Sequence, residues 1–151
     1  IWKALLDGRI DIIATDHAPH TIEEKEQNYF SAPSGGPLVQ HSLPALIEFY
    51  HQGKISLEKI AEKAAHNVAD CFKIEKRGFI REGYFADLVL VDVNAKQKVS
   101  KENILYKCGW SPFEGEELHG VVKNTFVSGH PVYSNGKFDE SVKGERLTFD
   151  R

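Results

Sequence analysis

The stretch Ile10-Asp11-Ile12-Ile13-Ala14-Thr15-Asp16-His17-Ala18-Pro19-His20 is a short apolar run that ends in an acid and two histidines. Residues 10–15 are rich in β-branched side chains, too few for an ordinary helix, and soon followed by Pro19, so they read as a buried strand. Asp16 then stands at its carboxyl end. In α/β proteins with parallel strands, above all in β/α barrels, reacting groups are displayed at that edge, because the strand holds the residue rigidly while the next loop shapes a pocket. An acid there can bind a metal, move a proton, or both. The plainer alternative is that Asp16 caps a turn with Pro19 and that His17 and His20 are polar loop residues.

Working outward, residues 1–9 place Ile1, Leu5 and Gly8 as the end of an amphipathic helix with a glycine stop. Residues 21–41 read as a long connection, and a loop of that length directly after the acid is a candidate lid. Within it, Ser34-Gly35-Gly36 lets the backbone approach a ligand closely and offers unobstructed N–H donors to an anion such as a carboxylate, although Pro-Ser-Gly-Gly-Pro is equally a plain turn. Ser42 before Leu43-Pro44 is a helix start, with Ala45, Leu46, Phe49 and Tyr50 as its apolar face. Ser56 opens the next helix, with Leu57, Ile60, Ala61, Ala64 and Ala65 at helical spacing. His66 and Cys71 read as packing and surface residues.

From residue 78 the texture turns strand-like. Gly83-Tyr84-Phe85-Ala86-Asp87-Leu88-Val89-Leu90-Val91-Asp92 sets a glycine turn before a β-branched run bounded by acids. Asp87 and Asp92 resemble paired carboxylates but read better as turn and cap residues. Val121 to Val127 alternates, Ser128-Gly129-His130-Pro131 turns the chain, and Val132-Tyr133 returns, closed by Asn135-Gly136. His119 and His130, in or beside turns, are expected in solvent. No repeat or low-complexity tract interrupts the chain, and the one boundary to propose lies near residue 75.

Composition excludes several classes. With 151 residues, 41% hydrophobic and 27% charged, the chain is neither disordered nor membrane-like, and a net charge of -3 without a basic stripe argues against nucleic acid as a partner. Cys71 and Cys108 lie far apart and outside any C-x-x-C setting, which points away from a disulfide framework or structural zinc and towards a reducing cytoplasm. No apolar run approaches a transmembrane length, and no signal-peptide pattern opens the chain. The absence of any Met suggests a piece of a longer chain.

Thr15-Asp16-His17-Ala18-Pro19-His20-Thr21 with Glu23-Glu24-Lys25, followed by the Ser34-Gly35-Gly36 loop and the Gly83 to Asp92 signature, resembles the amidohydrolase superfamily and, within it, the dihydroorotases. The resemblance runs along nearly the whole chain. It implies an α/β architecture: the C-terminal part of a (β/α)8 metal-dependent hydrolase barrel over residues 1–75, followed by strands of a small β-sandwich over residues 76–151. It implies a zinc-dependent, reversible cyclisation of N-carbamoyl-L-aspartate to L-dihydroorotate in cytoplasmic pyrimidine biosynthesis. One or two zinc ions would be held, with Asp16 as metal ligand and proton shuttle. His20 would bind the substrate carboxylate, and Ser34 and Gly35 would contact the substrate through their backbone. His17 matches no ligand. Many relatives carry an aromatic residue at position 34 and a glutamate at position 40, where this chain has Ser34 and Gln40.

An H-x-H pair, a bridging lysine or acid and further histidines, all needed by such a site, are absent. A catalytic zinc takes about three protein ligands and a water, so these residues would be inactive alone and need the rest of the barrel as partner. A homodimer is compatible with the resemblance, and no nucleic-acid or membrane partner is expected. Two other readings remain: an allantoinase or hydantoinase type of cyclic-amide hydrolase, and an inactive scaffold subunit of the same fold. The charged end, Asp139 to Arg151, is expected to order only in the full protein.

Overall fold

A computed structural model describes residues 1–150 as a set of helices followed by an antiparallel sheet. The helices are α1 (Trp2–Leu6), α2 (Ile22–Lys25), α3 (Ser42–His51), α4 (Leu57–Ala61) and α5 (Asn67–Phe72), with a 3-10 turn at Val39–His41 and a π-helical turn at Glu62–His66 joining α4 to α5. The sheet runs in the order β1 (Leu88–Lys98), β2 (Glu117–Val127), β3 (His130–Ser134) and β4 (Lys137–Phe138).

The apolar spacing expected of the helices builds a common core. Leu5, Ile55 and Ile60 are buried together, with Trp2, Ile10, Ile13, Leu43, Leu46 and Phe49 packed around them. Ser56 accepts a hydrogen bond from the Lys59 N–H and so caps α4, as its position implied. Ser42 is not a cap. It is the first helical residue of α3, and its hydroxyl donates to the Val39 carbonyl, because the 3-10 turn already winds the chain before it.

Residues 10–15 differ from the expectation of a buried strand. They pair with no other strand among the described residues, Ile10 lies in a bend, and Ala14 is exposed while Ile12 and Ile13 are half-buried. A strand needs a neighbour to bond, and here only helical groups approach: Ile13 N–H donates to the Lys63 carbonyl at 3.0 Å, and Asn67 Nδ2 donates to the Asp11 carbonyl at 2.8 Å.

The sheet follows its sequence signals closely. Both connections within β2–β4 are two-residue turns with left-handed backbone, Ser128-Gly129 (φ 50° and 84°) and Asn135-Gly136 (φ 46° and 87°), the geometry that matches strand twist. β1 pairs with β2 from Leu88 opposite Phe126 to Lys98 opposite Glu117, with irregularities after Leu90 and after Asp92. At the second, Asp92 Oδ1 accepts the N–H groups of Asn94 and Ala95. Asp87 bonds Arg77 and accepts the Ser128 N–H at 2.7 Å. Both acids therefore do turn and cap work.

Helix α3 lies on β2. Ile47 is 1% exposed, and it sits where a side chain on Gly120 would be: a Cβ there would lie 2.6 Å from Ile47 Cδ1. His119, expected in solvent, is instead half-buried, with Nδ1 2.7 Å from Glu48 Oε2 and its ring stacked on His51 at 3.9 Å. Gly120, at φ 90°, interrupts the alternation of β2, and both His119 and Gly120 meet α3. The charged end is also tied down: Glu75 N–H donates to Thr148 O and Asp150 N–H to Lys73 O, so the expectation of order only in the full protein fails for residues 148–150; Arg151 lies outside the described residues.

Candidate active site

Asp16 closes the extended run in a left-handed conformation, φ 45°, which aspartate tolerates better than most side chains. The chain thereby turns sharply, leaving the Asp16 side chain exposed and sending His17 and Ala18 alongside the later loop. Ala18 N–H donates to the Gly36 carbonyl at 3.0 Å, and His17 and Gly36 form a parallel bridge. Gly35 has φ 83°, and a Cβ on it would lie 2.6 Å from the Ala18 Cβ and 3.9 Å from the Asp16 carbonyl. Only glycine fits there on both counts. The backbone of Gly35 is therefore held close to that of Asp16, although the two are nineteen positions apart in sequence.

The loop between them is closed by further contacts. Thr21 and Glu24 form a reciprocal capping box at the start of α2: Thr21 N–H donates to Glu24 Oε2 at 2.8 Å, and Glu24 N–H donates to the Thr21 hydroxyl at 3.3 Å. Lys25 Nζ donates to the carbonyls of Pro33 at 2.5 Å and Gly35 at 2.9 Å. His17 Nδ1 accepts the N–H groups of Leu38 at 3.1 Å and Val39 at 3.3 Å. His20, four residues beyond the acid, has Nδ1 3.5 Å from Glu24 Oε2, and its carbonyl accepts the Trp110 indole N–H at 2.8 Å. Ser34 is exposed at the loop surface.

Behind this loop stands a polar network that sequence reading passed over. Gln40 donates from Nε2 to the Asn103 carbonyl at 2.7 Å and accepts the Leu105 N–H at 2.8 Å. Tyr106 Oη accepts the N–H groups of Gln40 and His41. His41 is buried, with Nδ1 3.0 Å from Ser111 Oγ and 3.3 Å from Tyr106 Oη, and its burial lowers its pKa below the ordinary histidine value. These partners lie more than sixty residues away, and no local signal announces them. A hollow of about 290 Å³ between α3 and the sheet, lined in part by Pro44, Leu118, Val122 and Phe138, has no carboxylate in its wall and does not include Asp16.

Asp16, His20, Ser34 and Gly35 thus belong to one loop system, tied at Ala18–Gly36. Among the described residues, no three His, Cys, Asp or Glu side chains gather as a metal-binding group. Asp16 has the donor chemistry of one ligand, fewer than a catalytic zinc takes, so the remaining ligands would come from outside these residues.

The chain matches the Amidohydrolase family over residues 1–132 and belongs to it. Among curated relatives it is 44% identical over 115 residues to the dihydroorotase of Halobacterium salinarum, covering 76% of this chain and 27% of that protein. It is 33% identical over 147 residues to the dihydroorotase of Pyrococcus furiosus, covering 97% of this chain and 34% of the relative. Among solved structures it resembles the L-hydantoinase (dihydropyrimidinase) of Arthrobacter aurescens with a TM-score of 0.86 at 28% identity, over 97% of this chain and 34% of that one. The D-hydantoinase (dihydropyrimidinase) of Thermus sp. gives a TM-score of 0.84 at 26% identity, over 91% and 31%. The chain spans about a third of the length of these relatives.

Proposed function

We propose that this chain is the C-terminal portion of a dihydroorotase, an enzyme that reversibly cyclises N-carbamoyl-L-aspartate to L-dihydroorotate in pyrimidine biosynthesis. Residues 1–75 are then the end of a (β/α)8 barrel and residues 76–151 the strands of a β-sandwich domain, a division supported by the change from helices to sheet between Phe72 and Leu88. The observation that carries the reading is the clasp that brings Gly35 to Asp16, in a chain whose curated relatives at 33–44% identity are dihydroorotases. In the ring-opening direction, a water attacks the ring amide carbon. Asp16 takes the proton the water loses and delivers it to the ring nitrogen as the C–N bond breaks. His20 and the backbone of Ser34 and Gly35 hold the substrate carboxylate. Zinc is the metal the resemblance implies, with further ligands from other parts of the enzyme, and a cytoplasmic location suits this metabolic role. No helix among the described residues is long and apolar enough to cross a membrane.

The test is ultraviolet-monitored ring opening of L-dihydroorotate by the full-length protein and its Asp16→Asn variant. A fall in kcat of about 10²–10⁴, the usual range for a lost acid–base group, is expected with the fold intact. The hydantoinase reading is favoured by the TM-scores of 0.84 and 0.86 with hydantoinase structures. Turnover of hydantoins but not of dihydroorotate by the well-folded wild type would select it. Failure on all cyclic amides would select a scaffold.

A further inference from the structure

Lys25 is the last residue of a single helical turn fixed at its start by the Thr21–Glu24 box. Isolated helices that short do not hold themselves; this one is pinned at both ends. The half-buried Lys25 ammonium has three donors, and two are spent on the Pro33 and Gly35 carbonyls, which flank Ser34 on either side. Bonds from an ionised donor are roughly twice as strong as neutral ones. Peptide groups are planar and trans, so a carbonyl turned towards Lys25 sends the N–H of the next residue the opposite way. One ammonium therefore orients two peptide planes: the one carrying the Ser34 N–H and the one carrying the Gly36 N–H. Gly36 is the residue that bridges to His17, next to Asp16.

We propose that Lys25 is the positioning residue of the substrate loop, holding the backbone around Ser34 and Gly35 in the shape that receives a carboxylate of the substrate. This rests on the dihydroorotase reading for the identity of the substrate, though not for the clasp itself. Lys25 need not touch the reacting atoms. Its removal loosens substrate binding while the proton transfer at Asp16 continues.

The experiment uses the full-length protein and its Lys25→Met and Lys25→Arg variants, with steady-state kinetics on L-dihydroorotate and amide hydrogen exchange at residues 34–36. For Lys25→Met the expected result is a KM raised at least ten-fold, a kcat within three-fold of wild type, and exchange at 34–36 at least ten-fold faster. Lys25→Arg, which keeps charge and donors, is expected to keep KM within three-fold. An unchanged KM with unchanged exchange in Lys25→Met overturns the proposal. So does a Lys25→Arg variant as impaired as Lys25→Met. Should the wild type not turn over dihydroorotate, the functional reading falls, and the exchange measurement alone judges the clasp: protection equal in wild type and Lys25→Met would overturn it. Thermal unfolding of both variants checks that the rest of the chain is folded.

Discussion

His41 illustrates how a single side chain can couple this loop to pH. Its imidazole is buried with Nδ1 within hydrogen-bond distance of Tyr106 Oη and Ser111 Oγ, and desolvation lowers its pKa in the folded state. The unfolded chain therefore takes up a proton before the folded one does. Stability from this site is complete above the ordinary histidine value of about 6.5 and is lost as pH falls below it. A His41→Asn variant, which cannot titrate, is expected to lose that part of the pH slope in denaturant unfolding as pH falls below about 6.5. Arg77 makes a second case. It is buried, with Asp87 and the Ser128 hydroxyl as partners and the Phe85 ring 4.1 Å away. Asp87 itself lies at the surface, so Asp87→Ala leaves the buried Arg77 guanidinium short of one acceptor, and a cost of about 1–3 kcal/mol is expected in chemical denaturation. Of these residues, Asp16 announced itself by standing at the end of an apolar run. His41, Gln40 and Tyr106 could not, because their bonds join segments more than sixty positions apart, and nothing in a local window distinguishes a buried histidine from a solvated one.

At the scale of elements, the docking of α3 on β2 turns on Gly120. Its φ of 90° disfavours any side chain, and the space a Cβ needs is filled by Ile47. Gly120→Ala combines a left-handed backbone penalty with overpacking, and a loss of about 2–4 kcal/mol is expected in thermal or denaturant unfolding. Such a contact is invisible in sequence, where Gly120 reads as a weak point in a strand. The hairpins were legible for the opposite reason: Ser128-Gly129 and Asn135-Gly136 carry their geometry in the residues themselves. The run at residues 10–15 is the instructive miss. Its composition speaks for a strand, but pairing is a property of neighbours, and only helical groups meet it here. Lys25 sits between these extremes. The capping box that orients it is readable from Thr21 and Glu24, while the carbonyls it grips are not.

On the scale of the whole molecule, the helices and sheet leave a considerable apolar surface uncovered. Tyr29 and Phe30, paired edge to face at 5.5 Å, are 90% and 96% exposed, and Ile80 is 88% exposed. Residues 1–151 expressed alone are therefore expected to bind hydrophobic dyes strongly or to self-associate. A monodisperse monomer in light scattering, without dye fluorescence, would contradict this. The composition of the sequence was a poor guide here, since it counts apolar residues without saying which of them find cover.

The turns of the sheet also set an order of events in time. β2, β3 and β4 are joined by two-residue connections, so their pairing closes only small loops, whereas β1 reaches β2 across residues 99–116 and must pay the larger chain-entropy cost of bringing Leu88 to Phe126. The meander from residue 117 to residue 138 is thus expected to pair first, which stopped-flow folding of Gly129 and Gly120 variants would check through their effects on the folding rate. β1, with Asp87 at its head, arrives afterwards, and the bond from the Ser128 N–H to Asp87 waits for it.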